Sequence, residues 1–426
     1  MTTFADLGLA QKFLDALTTQ GYTNPTPIQE KAIPHILAGK DVFGCAQTGT
    51  GKTAAFILPT LQLLDKPVTG RKPIRSLVLT PTRELAIQIE ENAVAYGKNS
   101  QLVTTGIYGG VSQGKQVKAL QRGVDILIAT PGRLLDLINQ RFVDLRQVEI
   151  FILDEADRML DMGFINDVKK VLKHIPVRRQ TLFFSATMAP SIMSLAHTIL
   201  DNPISVEVTP NASTVDTVSQ ALYTVKKDQK KDLLLHILKN PNIRNAVVFT
   251  KTKHGANKVE KFLAAEHILC AAIHGNKSQN ARQKALADLK NGSIRVLVAT
   301  DIAARGIDID ELSHVIIYDV PLEPEVYVHR IGRTGRAGLQ GDAIMFCEPE
   351  EVKYLNQITK LIGKEIPLVT GHPFYEQINL KPVGQIHNTG PKKSSTQQHR
   401  PSRPASSAPT RRGGREQKQR NWGRRR

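Results

Sequence analysis

Short, almost wholly apolar runs alternate with longer amphipathic stretches along the first half of the chain. The runs lie at 42–45, 76–80, 103–108, 125–130, 150–153 and 181–185. A strand with one wet face alternates apolar and polar residues, whereas a strand covered on both faces is apolar throughout. These runs therefore read as parallel strands buried between helix layers. Helical periodicity falls between them, for example over 82–96 and 165–174. The alternation then restarts. Strand-length runs recur at 246–250, 271–274, 296–300, 315–318 and 343–346, with helical stretches at 231–239, 255–266 and 282–290. Ile128-Ala129-Thr130 closes a run in the first series and Val298-Ala299-Thr300 closes one in the second. The expectation is an α/β chain of two tandem doubly wound parallel-sheet domains, residues 1–209 and 220–371. Residues 210–219, where small and polar residues cluster, would link them.

Beyond 371 the pattern fades, and 372–426 reads as a tail. From Lys381 onward five of 46 residues are hydrophobic, too few to offset the entropy of ordering, so a disordered tail is expected. Charge sharpens this picture. The chain of 426 residues carries 57 basic and 39 acidic residues, a net +18. From Lys381 on there are 13 basic residues against Glu416 alone, so +12 of that total belongs to the tail. A basic excess of this kind suits a polyanionic partner, nucleic acid being the commonest. Cys45, Cys270 and Cys347 form neither a disulfide framework nor a metal-site spacing. The N-terminus lacks the order of a signal peptide and no apolar run reaches membrane-spanning length. A cytoplasmic protein without membrane attachment is expected.

The candidate chemistry starts at Ala46-Gln47-Thr48-Gly49-Thr50-Gly51-Lys52-Thr53, between a strand and a helix. This is the context a phosphate-cradling loop requires: glycines turn backbone N–H groups toward the phosphates, and Lys52 reaches the β and γ phosphates. The Thr53 hydroxyl would bind Mg²⁺. Ala46 stands where such loops usually have glycine. A second element, Asp154-Glu155-Ala156-Asp157, follows the run at 150–153. Alone it would suit an acidic helix N-cap. Paired with the loop, it supplies Asp154 for Mg²⁺, partly through water, and Glu155 to orient the attacking water.

With those four letters the sequence resembles the DEAD-box RNA helicases, from about residue 4 to about 371. Gly21 to Gln29 (GYTNPTPIQ) is similar to the family's adenine-reading motif, with Phe4 as its upstream aromatic. PTRELA at 81–86, Gly109-Gly110 and TPGR at 130–133 are similar to first-domain RNA motifs. Ser185-Ala186-Thr187 is similar to the motif coupling hydrolysis to strand separation. ATDIAARGID at 299–308 and HRIGRTGR at 329–336 complete the set. The opening MTTFADLGL and short basic tail are most similar to the bacterial RhlE-type branch.

The resemblance implies two RecA-like lobes with ATP and Mg²⁺ as cofactors and RNA as partner. It implies Arg333 and Arg336 as arginine fingers from the second lobe, Asp308 as a nucleotide contact and His329, with Ser185 and Thr187, as coupling residues. Arg83, Gly110, Thr130, Arg133, Thr300 and Arg305 would grip the RNA backbone; Gln279 and Arg282 match a further family motif loosely. A glutamine amide can pair with adenine N6 and N7, so Gln29 would favour ATP over GTP. Phe4 would either stack on the base or simply pack beside Leu7 and Leu9. An ATP-gated RNA clamp and a DNA helicase of the same superfamily are the alternative readings. A monomer is expected, and proteins of ribosome assembly or RNA decay are candidate partners.

Overall fold

The computed structural model describes residues 2–47, 49–208, 218–304, 312–335 and 341–380, except for the side chains of Ile302 and Ala304. The first domain is built on β1 (Val42–Cys45), β2 (Ser76–Leu79), β3 (Thr104–Ile107), β4 (Ile126–Ala129), β5 (Ile150–Leu153), β6 (Gln180–Ser185) and β7 (Ile204–Glu207). They form one sheet in the order β3-β4-β2-β5-β6-β1-β7, and all its pairings are parallel. The second domain has β8 (Val218–Thr224), β9 (Ala246–Thr250), β10 (Cys270–Ile273), β11 (Val296–Thr300), β12 (His314–Ile317), β13 (Gly341–Cys347) and β14 (Leu368–Val369). Its order, β10-β11-β9-β12-β13-β8-β14, is the first sheet's order repeated strand for strand. The local echo between the two halves of the sequence thus extends to their whole topology.

Why the strands are apolar throughout is visible in the core. Ile150 and Ile152 enter the cluster on one face of the first sheet, and Phe151 and Leu153 enter the cluster on the other. In the second sheet Val247 and Phe249 face one cluster and Ala246 and Val248 the other. Helices cover both faces, so no position on a central strand meets water. Strands β7, β8 and the two-residue β14 have no counterpart among the expected runs because they lack this pattern. β7 lies at the sheet edge with exposed Ser205 and Glu207, and β8 alternates buried and less buried positions.

Residues 372–380, assigned to the tail from the sequence, pack on the second domain. Phe374, Ile378 and Leu380 lie against its two clusters. Thr224 Oγ1 donates to the Glu376 carbonyl at 2.6 Å, and Glu376 N donates to Thr224 O at 3.1 Å. Three apolar side chains at irregular spacing give no period to read, yet each finds a site once the sheet exists. The expected tail from 381 lies outside the described residues, as do linker positions 210–217; Val218 and Ser219 open β8. Among the described residues no helix is long and apolar enough to cross a membrane.

Candidate nucleotide and nucleic-acid site

In parallel α/β sheets ligands bind beyond the carboxyl ends of the strands. At that edge β1 runs into Ala46, β5 into Asp154 and β6 ends on Ser185, on adjacent strands. On the other side of β5, β2 leads into Pro81–Arg83, β4 into Thr130–Arg133, and β3 toward Gly109-Gly110. Sheet order thus sorts the expected nucleotide residues from the expected RNA residues along one rim.

Two cavities open there, one on each side of the helix Arg83–Tyr96. The first, about 390 Å³, is lined by Thr26, Gln29, Gly49, Gly51, Lys52, Thr53, Asp154 and Glu155, with Tyr22, Gln88, Glu91, Asn92 and Tyr96 extending it. Lys290 of the second domain also lines it. Gly49 and Gly51 have φ of +83° and +88°, where an L side chain is disfavoured. At Gly51 a Cβ would also collide with Gln29 Nε2. Gln29 is 1% exposed; its Oε1 accepts from Thr26 N at 2.9 Å and its Nε2 donates to Gly51 O at 3.1 Å. The adenine-reading candidate is therefore clamped to the phosphate loop.

Lys52 opens the helix Lys52–Leu64, and its Nζ donates to Ala46 O at 2.5 Å. Thr50 Oγ1 donates to Gln47 O at 2.7 Å within the loop, and Ala46 N donates to Ser185 O at 3.1 Å. Asp154 and Glu155 are both buried. Burial and the neighbouring Glu155 carboxylate push Asp154 up to about 7, against the pull of Lys52. Glu155 sits in the left-handed region at φ +52°, a costly conformation for a non-glycine that tends to mark functional sites. Its Oε2 is ion-paired with Arg158. Asp157 Oδ2 accepts from Ala186 N at 3.1 Å, and Ser185 Oγ accepts from Thr187 N at 3.3 Å. The link from Asp157 to the Ser185–Thr187 segment is invisible in the sequence, because 29 residues separate its ends. Thr53 and Asp154 offer hard oxygen donors in one cavity wall, a set suited to Mg²⁺ that keeps several waters.

The second cavity, about 510 Å³, brings together Arg83, Thr130 and Arg133 with Gly275 and Arg282 of the second domain. Arg133 Nη1 donates to Gln116 Oε1 at 2.8 Å, and its Nη2 donates to Val111 O at 3.2 Å. Gly110 has φ +76° and its missing side chain leaves room for the Arg83 guanidinium. Beside this cavity the domains touch: buried Glu84 accepts from Gln279 Nε2 at 3.0 Å and pairs with Arg282 at 3.0 Å. In the sequence Glu84 is one acid within the 81–86 motif, with nothing to mark it as a domain contact.

Other expected residues stand apart. Phe4 is 5% exposed and packs in the core with Leu7 and Leu9, outside the first cavity's wall. Tyr22 and Tyr96 are the aromatic residues that line the cavity. Thr300 ends β11, and His329 lies in the helix Pro324–Ile331. Arg333 is buried just beyond that helix, and neither it nor His329 lines either cavity. Arg330, between them, forms a bidentate pair with Asp301 at 2.7 and 2.8 Å and donates to Asp319 O at 2.7 Å. Thr48, Arg305, Asp308 and Arg336 lie outside the described residues.

Comparison with known proteins agrees with this arrangement. A family model described as DEAD/DEAH box helicase matches residues 26–195, and one described as helicase conserved C-terminal domain matches 229–338. The DEAD-box ATP-dependent RNA helicase RhpA of Helicobacter pylori is 42% identical over 365 residues, covering 86% of this chain and 73% of that one. CshA of Bacillus cereus, of the same description, is 43% identical over 366 residues, 86% and 69% of the two chains. The fold is similar to Saccharomyces cerevisiae Dbp5 bound to RNA and ADP BeF3, with a TM-score of 0.77 and 31% identity over 87% of this chain and 96% of that one. Two RecA-like domains and an ordered set of motifs in the loops beyond their strands make this chain a member of the DEAD-box RNA helicase family.

Proposed function

We propose that this protein is an RNA-dependent ATPase that couples ATP binding and hydrolysis to local unwinding or remodelling of RNA duplexes and RNA–protein complexes. The observation that carries this reading is the pair of cavities flanking the helix Arg83–Tyr96, each lined in part by the second domain: Lys290 in the first, and Gly275, Arg282 and Ala303 in the second. A shift of one domain against the other alters both, so nucleotide state and RNA grip are linked.

In this reading Lys52 leaves the Ala46 carbonyl to hold the β and γ phosphates. Gln29 reads the adenine while steadying Gly51. Glu155, held by Arg158, orients the attacking water. Mg²⁺ held by Thr53 and Asp154 would neutralise phosphate charge. Asp157 passes a change at the phosphate end to the Ser185–Thr187 segment through Ala186. Arg333 and Arg336 approach from the second domain as finger arginines when it closes, Asp308 serves as a nucleotide contact and His329 couples the nucleotide and RNA sides. Arg83, Gly110, Thr130, Arg133, Thr300 and Arg305 grip the sugar–phosphate backbone, which carries no base sequence. RNA held by both domains bends, a regular duplex resists that bend, and one strand leaves.

The RhlE-type branch is the finer placement, supported by the opening MTTFADLGL and the short basic tail. A monomeric, cytoplasmic enzyme belongs to the same reading, as do partners from ribosome assembly or RNA decay. The test is Glu155→Gln: purified variant should bind ATP and RNA but lose RNA-stimulated hydrolysis. Wild-type turnover in that variant would refute the assignment, and turnover equally stimulated by DNA would favour the DNA-helicase alternative.

A further inference from the structure

The opposite edge of the first sheet, where the strands begin, carries a second charged surface. Two adjoining grooves of about 530 and 330 Å³ share Arg146. Arg178 and Arg179 line the first, just before β6; Arg141 and His174 line the second. Lys40 stands beside the first groove, just before β1, where its carbonyl accepts from Gln180 Nε2 at 2.7 Å. The acids here are mostly engaged. Asp144 pairs with Arg146 at 2.6 Å, and buried Asp41 accepts from Thr181 N and Asp201 N. Glu149 is the remaining acid of the wall. Lys40, Arg141 and Arg178 are exposed, and among the described residues their side chains have no acidic partner.

Cations after helix C-termini also complement the helix dipole. That accounts for Lys40 and Arg141, which follow the helices Pro27–Leu37 and Pro131–Asn139. It does not reach Arg178, six residues past the helix Ile165–Leu172, nor Arg146. Arg141 moreover holds φ +62°, where glycine or asparagine would be cheaper for the fold. Beside these cations Val177 is 96% exposed and Phe142 38% exposed, so the rim also offers apolar surface.

We propose that this rim is a second RNA contact, gripping phosphates of the RNA that flanks the segment held between the domains. It rests on the helicase reading above. Four-residue strands rise about 3.3 Å per residue, which sets the rim more than about 13 Å from the cavities. Only RNA long enough to pass around the domain reaches both. The contact is to phosphate and therefore sequence-independent.

The test uses the full chain carrying Lys40→Gln, Arg141→Asn and Arg178→Gln together; asparagine tolerates the left-handed backbone at 141. RNA affinity is measured against salt with oligouridines of about 8 and about 30 nucleotides, the shorter lying within one ordinary single-strand footprint. Each neutralised phosphate contributes about 0.7 to the log–log salt slope on single strands, so three lost contacts lower the slope by about 2 on the long RNA. Binding and ATPase stimulation by the short RNA stay unchanged. Superimposable salt curves on the long RNA overturn the proposal and leave the rim to an acidic protein partner. An equal loss on both RNAs also overturns it, by showing damage to the cleft. Absence of stimulation by short RNA in the unmodified chain sinks the helicase reading itself.

Discussion

Replacing Gln29 with alanine separates two roles proposed for one side chain, bracing the loop at Gly51 and reading the adenine. Gln29 Oε1 accepts from Thr26 N and its Nε2 donates to Gly51 O. A primary amide has two donor hydrogens and two acceptor lone pairs, so one of each remains for a base. The remaining pair matches adenine N6 and N7; guanine offers an acceptor where adenine has its amine. Gln29→Ala therefore removes about 1–3 kcal/mol of base discrimination. It also leaves the Gly51 carbonyl without its partner, a cost of about 1 kcal/mol that any nucleotide shares. ATP affinity should fall by about 2–4 kcal/mol in total and GTP affinity by about 1 kcal/mol. The ratio of the two dissociation constants should thus contract by about 5- to 150-fold. Calorimetric or fluorescence titration of both nucleotides, on wild type and variant, reads both terms. An unchanged ratio in the variant, or equal affinities in the wild type, would refute the adenine-reading role even if overall affinity fell.

Three further expectations follow from the geometry. Arg333→Ala should cost turnover about 10³-fold or more while ATP binding stays within a few-fold, as expected of a finger arginine; single-turnover kinetics beside nucleotide titration decides, and turnover near wild type would make Arg333 a structural residue. Lys230 is 1% exposed with Glu348, Glu351 and Asp319 at 2.6, 3.0 and 3.4 Å. Burial opposes its charge, but Glu351, Asp319 and Glu348 outweigh that and raise it above its ordinary value. Lys230→Met should destabilise the second domain by about 3–5 kcal/mol, because buried carboxylates lose their counter-ion. Calorimetry should show its Tm lowered by about 6 °C or more, and a shift under about 2 °C would contradict the network. Finally, Asp154 holds its proton up to about 7 in the folded chain against an ordinary 3.8. Its folded value is the higher, so its contribution to stability is present below 3.8 and lost as pH rises through about 7. Cation binding displaces that proton, so calorimetry at pH 6 in buffers of different ionisation enthalpy should show more proton release with Mg·ATP for wild type than for Asp154→Asn. Equal release would rule this out.

The chain's local patterns determined a good deal by themselves. Buried parallel strands are apolar on both faces, so 42–45 or 150–153 announced themselves without reference to distant residues. The candidate phosphate loop is legible for a similar reason: its glycines, Lys52 and Thr53 lie together in one short stretch of chain, and their spacing alone points to phosphate binding. Tertiary structure alone decided the rest. Strand order is a matter of crossovers, and it placed Asp154, Ser185 and Ala46 on three adjacent strands while sending Arg83 and Thr130 to the far side of β5. Phe4 has a stacking and a packing reading in the sequence, and only the fold places it in the core cluster with Leu7 and Leu9. Residues 372–380 carry no period, yet Phe374, Ile378 and Leu380 meet apolar surface once the second sheet is assembled. Glu84 became a domain contact only when Gln279 and Arg282, far along the chain, were brought against it. Periodicity records which face of an element is buried; which other element buries it depends on contacts between residues far apart in the sequence, and those leave no local trace.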